Sequence, residues 1–419
     1  MADSRAAVPV LLLMADTGGG HRAAAGAVAE ELRRCRPGGF VPVLFDPLSG
    51  PSSAWALQRS MRLYGPAIRW APWAWSAAYR ASDSRAAFSF LRQTILRLAD
   101  RPVEEQVSAL APAAIVSFHP LTTSAAVAAA RRSPDRPPVV TVITDLATTH
   151  ISWWQGGADQ IVVPYADTMP RLSRRDHARV RYVDLGLPVA RQFRGGAPTP
   201  AERTSLRRSL GLPPRRFVLV VTGGAEGAGG IHRTVSALVS QFRDVQVVAV
   251  CGRNERLRRS LAGLARRLGG RLTVLGFVSN MADWIRSADV LVTKAGPGAI
   301  AEAACSGAPM LLTGHVPGQE AGNAEFVVGS GAGRHACRTE DLVREVARLR
   351  TDPGALEAMR AASARLARPG AAGAIAGLIA RLAQPDLAAR YSSARSGPLP
   401  ALAGRRCGPA DDAGRPRPA

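Results

Sequence analysis

"DVLVTKAGPGAIAEA", residues 289–303, decides the fold. A run of Val and Leu gives way to a turn bearing Gly296, Pro297 and Gly298, then to small helix formers. That order describes a strand feeding a helix through a tight loop. The same unit recurs along the chain. Strand-like runs fall at 8–15, 40–45, 113–118, 138–144 and 160–164, and again at 216–224, 245–252, 271–277, 289–296 and 308–314. Helical patterns lie between them, among them 231–242, 254–268, 298–306, 338–350 and 354–367. Strands alternating with helices imply parallel sheets joined by right-handed crossovers. The expected class is α/β, with two successive Rossmann-like, doubly wound halves.

The join falls in the Gly-, Pro- and Arg-rich linker 191–216. An N-terminal domain is therefore expected over 1–195 and a C-terminal domain over 196–385. The remainder, 386–419, has too little apolar surface to build a core and is expected to be disordered.

Composition narrows the class further. A chain of 419 residues with 47% hydrophobic content can bury two cores. Five scattered cysteines without CxxC spacing argue for a reducing compartment, with neither a disulfide framework nor a zinc site. The apolar run 8–15 is too short for a signal peptide, and no stretch approaches the about 20 residues of a membrane span. A cytoplasmic protein is expected. Its formal net charge of +22 calls for a polyanionic surface, either nucleic acid or the anionic inner face of a membrane. No zinc finger, basic zipper or RNA-recognition signature supports the first.

Lys294 is the single lysine among 54 basic Lys and Arg residues. It is either a survivor of arginine-rich codon bias or a position that needs a compact, rotatable ammonium.

Ligands of doubly wound folds bind beyond the carboxyl ends of the strands. After the first strand, "DTGGGHRAAAGAVAEEL" (16–32) sets Gly18, Gly19 and Gly20 before a helix, with His21 at its mouth. Free N–H groups there suit an anion or a hydroxyl. The match to a dinucleotide fingerprint is weak, because the acid after the second strand, Asp46, comes late for a ribose contact. His119 follows another strand, and "TDLATTHISWW" (144–154) places Asp145, His150 and Trp153 beyond a third. Each alone is compatible with an ordinary loop or capping residue. Together they put three histidines and an acid above one sheet edge.

In the second half, Gly223 and Gly224 precede a helix, and Gly252 and Arg253 follow a strand. The Gly296–Pro297–Gly298–Ala299 turn at a helix mouth suits a phosphate, with Lys294 beside it as a mobile charge. Glu302, four residues into that helix, suits ribose hydroxyls, and Gln319, Glu320 and Asn323 suit a sugar. No Asp-x-Asp metal motif appears, so no metal and no cofactor are expected.

At this point the sequence resembles the monogalactosyldiacylglycerol synthases and processive diacylglycerol glucosyltransferases. The motifs that carry the resemblance are "DTGGGHRAAA", "TDLATTHISWW", "VCGRNERL", "GFVSNM", "TKAGPGAIAEA" and "PGQEAGN", which follow the family's order over roughly 8–330. The family is similar to the peptidoglycan N-acetylglucosaminyltransferase that makes lipid II. The resemblance implies a GT-B fold with the nucleotide sugar in the C-terminal half, an inverting transfer from UDP-glucose or UDP-galactose, and diacylglycerol as acceptor. It assigns His21 as acceptor base, with Asp145 orienting it or the acceptor. It also places Phe277 and Val278 at the uracil, Lys294 and 296–299 at the diphosphate, Glu302 at the ribose, and Gln319 and Glu320 at the sugar.

Four of seven tryptophans, Trp55, Trp70, Trp73 and Trp75, lie in one segment interleaved with arginines. Such a segment either packs in a core or lies among anionic headgroups. The second reading fits the charge and a lipid acceptor, and places the protein peripherally on the inner face of the cell membrane. The competing readings are a GT-B transferase on a polyprenyl or natural-product acceptor, a UDP-sugar epimerase, and a non-catalytic nucleic-acid binder.

Overall fold

The computed structural model describes residues 7–15, 19–35, 39–49, 53–55, 57–59, 63, 71–168 and 181–383. Gly18, Trp70 and the expected tail 386–419 lie outside the described residues.

The first half holds β1 (Val8–Leu13), β2 (Phe40–Phe45), β3 (Ala114–Ser117), β4 (Val139–Val142), β5 (Gln160–Val163) and β6 (Tyr182–Asp184), in the spatial order β2-β1-β3-β4-β5-β6. The second holds β7 (Phe217–Thr222), β8 (Val245–Val250), β9 (Leu272–Leu275), β10 (Val290–Thr293), β11 (Met310–Leu312) and β12 (Gly333–His335), in the order β12-β11-β10-β7-β8-β9. Every pairing is parallel. The ten expected strands are present. The two additional ones, β6 and β12, are three-residue edge strands whose partly exposed, polar residues carry no apolar run to read.

The sheets are covered on both faces, which is why their strands read as near-continuous apolar runs. In β1, Val8, Val10 and Leu12 face helix Gly20–Cys35, whereas Leu11 and Leu13 face the opposite core beneath helices Asp100–Leu110 and Thr123–Arg132. The last described helix, Ala371–Ala383, follows the C-terminal sheet in sequence. Its Ala372, Ile375, Ala376 and Ile379 nevertheless enter the N-terminal core against helix Gly20–Cys35. The chain thus returns to the first half, which the sequence boundary at 385 does not convey. The expected linker is also structured. Thr199 and Glu202 close a capping box that starts helix Pro200–Ser209, and that helix packs on Met281–Ser287.

Each sheet has one switch point. The chain steps from β1 out to β2 and crosses back to β3 on the other side of β1; β7 and β10 are related in the same way. Crevices therefore open after β1 and β3 in one half, and after β7 and β10 in the other.

Candidate active site

The N-terminal crevice is built around His21, half-buried at the start of its helix. Its Nδ1 lies 2.7 Å from the Phe118 carbonyl oxygen and 2.8 Å from Thr144 Oγ1. A carbonyl only accepts, so Nδ1 carries the proton and the neutral ring keeps its lone pair on Nε2. No described residue bonds Nε2. Burial lowers the pKa to about 4, although the Phe118 bond opposes the shift. At neutral pH His21 is an uncharged acceptor of fixed orientation.

His119 lies edge-on to His21, with ring centroids 4.6 Å apart, and Trp153 lies 6.4 Å away. Asp145 does not orient His21. Its Oδ2 accepts from Trp153 Nε1 at 2.7 Å and it hydrogen-bonds Gln319, while Thr144, one residue earlier, reaches the histidine. Burial, followed by the nearby charge of Glu320, raises the Asp145 carboxyl to about 7 against those two hydrogen bonds.

His150 makes its contacts with a different element. Its Nδ1 lies 3.2 Å from Ser152 N and 2.8 Å from Ser152 Oγ, its Nε2 lies 3.2 Å from Ser82 Oγ, and its ring packs on Tyr79. It pins helix Pro72–Ser82 to the 144–154 loop. The sequence placed it correctly beyond a strand end; the structure adds its ties to that helix.

The second crevice faces the first. A Cβ on Gly19 (φ +84°) would lie 3.2 Å from Ala225 Cβ, so the two glycine-rich loops meet. Gly223 and Gly224 open the 223–230 loop, and Gly252 follows β8. Arg253 bridges to Glu226 at 2.7 Å and lies 5.3 Å over the Phe277 ring. Phe277 is 62% exposed, an open aromatic face beside the half-buried Val278. Helix Pro297–Cys305 begins at Gly296 with no side-chain cap, leaving the first-turn N–H groups of Gly298 and Ala299 for an anion. Lys294 Nζ sits 2.6 Å from Glu320 Oε1, whose other oxygen accepts from Val316 N at 2.8 Å.

Glu302 lies on the same helix, and burial raises its pKa from 4.5 to about 7. The folded protein thus holds a proton there that the unfolded chain has lost above 4.5. The stability this contributes is complete below pH 4.5 and disappears as pH rises through 7. Glu302→Gln cannot ionise, so its melting temperature relative to the parent should rise from pH 5 to pH 8. A difference that stays flat in thermal denaturation would overturn that assignment.

Asn323, expected at the sugar, is fully buried, and both of its amide atoms have protein partners. Its Oδ1 accepts from Ala147 N at 3.2 Å and its Nδ2 donates to Ala295 O at 3.1 Å. Beside it, Gly322 N donates to Thr148 Oγ1 at 3.0 Å, and a Cβ on Gly322 would meet that oxygen at 2.3 Å. Asn323 is therefore a tie between the halves. Thr144, Thr148 and the Phe118 carbonyl were legible only as residues after strands; no local signal gave them these partners. Among the described residues no group of three or more His, Cys, Asp or Glu could hold a metal ion.

Helix Pro72–Ser82, whose Tyr79 lies against Gly318, has no buried residue. Trp55 and Trp73 are 72% and 77% exposed, and Trp75 is half-buried. Leu63 before this helix, and Phe90, Ile95 and Leu98 after it, are also exposed, and the sequence reading did not single them out. Among the described residues no helix is long and apolar enough to cross a membrane.

The family description "Monogalactosyldiacylglycerol (MGDG) synthase" matches residues 21–189, and "Glycosyltransferase family 28 C-terminal domain" matches 218–375. A probable monogalactosyldiacylglycerol synthase 2 of Oryza sativa subsp. indica is 32% identical over 352 residues, covering 82% of this chain and 74% of the rice protein. The chain belongs to the monogalactosyldiacylglycerol synthase family. Its fold is that of Acinetobacter baumannii MurG, with a TM-score of 0.59 at 17% identity, covering 89% of this chain and 99% of that one. A putative UDP-N-acetylglucosamine 2-epimerase from Listeria monocytogenes has a TM-score of 0.55 at 14% identity, covering 88% and 95%. Architecture alone therefore does not separate transferase from epimerase. Family membership does, and makes this GT-B protein a glycosyltransferase of the monogalactosyldiacylglycerol synthase type.

Proposed function

We propose that this member of the family is an inverting transferase. It moves a hexose from UDP-galactose or UDP-glucose to diacylglycerol on the inner face of the cell membrane, without a metal ion. The observation that carries this reading is His21, whose Nδ1 is tied to Phe118 O while Nε2 stays open in a crevice facing the Gly296–Ala299 helix mouth. Nε2 takes the proton of the acceptor hydroxyl, and the freed oxygen attacks the anomeric carbon from the side opposite UDP. The leaving diphosphate gains its charge where Lys294 and the free N–H groups of helix Pro297–Cys305 stabilise it. A single displacement inverts the anomeric centre.

Vesicles of diacylglycerol with radiolabelled UDP-galactose or UDP-glucose, each with and without EDTA, test this. One sugar should appear on diacylglycerol as the β-anomer, and EDTA should change little. Glycolipid absent with both donors, an epimerised UDP-sugar, or strict need for Mn²⁺ or Mg²⁺ would sink the reading.

The exposed Trp73 and Phe90 support the membrane half of the proposal. Inserting such a ring is worth about 1.5–3 kcal/mol, so Trp73→Ser and Phe90→Ser should each weaken binding to anionic vesicles about tenfold or more. Parent binding should fall as salt rises. Unchanged sedimentation with vesicles, in variants that keep their circular dichroism, would leave these rings without that role.

A further inference from the structure

His21 and His119 follow β1 and β3, the neighbours across the first switch point, and their rings meet edge to face. Their proton placements are opposite. His21 Nδ1 donates to a carbonyl, which leaves a lone pair on Nε2. At His119 the backbone N–H of Leu121 points at Nδ1 from 3.3 Å. An amide N–H can only donate, so this Nδ1 holds the lone pair and the neutral ring carries its proton on Nε2. Burial and the adjacent His21 both hold His119 in its neutral form.

His119 Nε2 has no partner among the described residues, and it is not one of the polar atoms sealed from solvent without a partner. The 6% of His119 that remains exposed therefore has an N–H to offer. The crevice thus presents one acceptor, His21 Nε2, and one donor, His119 Nε2–H. A lone hydroxyl cannot use both well, because a donor on the attacking oxygen would reduce its nucleophilicity. A ligand with a hydroxyl and a nearby oxygen that only accepts would use both.

We propose that His119 selects the acceptor by donating from Nε2 to the ester carbonyl adjacent to the free hydroxyl of a 1,2-diacylglycerol. This inference rests on the transferase reading above and names a specificity contact within it. The hydroxyl turns to His21 and the carbonyl to His119, so the two imidazoles read an ester–alcohol pair. A 1,2-dialkylglycerol has the same chains and hydroxyl but no carbonyl, and its ether oxygen is a poorer acceptor.

The test compares 1,2-dioleoylglycerol with 1,2-dioleylglycerol, its diether counterpart, in the same vesicles. The parent should show a lower acceptor KM for the diester. His119→Leu should raise that KM roughly 3–10-fold, the loss expected for one neutral hydrogen bond, with the diether KM and the UDP-sugar KM unchanged. His119→Gln, whose amide N–H reaches the Nε2 position, should retain the preference. Equal use of diester and diether by the parent overturns the proposal even if His119→Leu fails to fold. So does a preference that survives in a folded His119→Leu. Failure to glycosylate either lipid would instead overturn the transferase reading.

Discussion

His21→Ala is expected to lower kcat by about 10²–10⁴, the range for losing a positioned general base. The effect should fall on kcat more than on either KM, because Nε2 acts on the proton only as the acceptor oxygen attacks. The pH profile carries a second signature. Burial holds His21 near 4, so the base form persists well below the usual range around 6.5. The acid limb of kcat/KM should therefore lie well under pH 6, and activity should be lost only as pH falls towards about 4. Initial rates from pH 4 to pH 8, with diacylglycerol varied at saturating donor, give both results. Near-parental turnover in a folded His21→Ala, or an acid limb centred at 6.5, would remove His21 from this role.

Lys294→Ala should weaken UDP binding by roughly 10–150-fold, since a charge-assisted hydrogen bond contributes about 1.5–3 kcal/mol. Geometry adds two consequences. Glu320 is only 6% exposed and sits 2.6 Å from the ammonium, so removing Lys294 leaves a buried carboxylate without its counter-ion. The single variant should lose stability as well as affinity. Lys294→Ala with Glu320→Gln should recover stability without recovering UDP. The second consequence concerns Lys294→Arg. An ammonium has three donors, so one can hold Glu320 while two remain for a diphosphate. The space is tight: a Cβ on Gly296 would lie only 3.3 Å from Nζ. The longer, planar guanidinium should therefore bind UDP poorly despite equal charge. Calorimetric titration of UDP into the three variants decides the matter. Should Lys294→Arg bind and turn over like the parent, the lone lysine reflects codon drift alone.

The strand–loop–helix rhythm was legible because it depends on neighbours. Runs such as 247–250 and 290–292 are buried on both faces, so their residues are apolar without alternation, and the pattern survives in one dimension. The three-residue strands at Tyr182 and Gly333 escaped because edge strands need no such run. The capping box of Thr199 and Glu202 was equally local, and was available to be read within the presumed linker.

By itself, the sequence determined which side chains stand beyond strand ends: His21, His119, Asp145, Lys294 and Gln319 all lie there because strand lengths and glycine turns are written locally. It could not determine which partner each would take. His21 owes its free Nε2 to a carbonyl 97 residues away, and Asn323 is taken out of the sugar site by Ala147, 176 residues distant. Lys294 meets Glu320 across 26 residues, and the crossing of helix Ala371–Ala383 into the N-terminal core spans most of the chain. Such contacts exist only after two sheets have packed and faced each other. Tautomer, ion pairing and exposure depend on distances of a few ångströms that no local pattern encodes. The exposure of Trp73 belongs with them, since a Trp-rich helix reads alike in a core or on a surface, and only the packing of the described residues distinguishes the two.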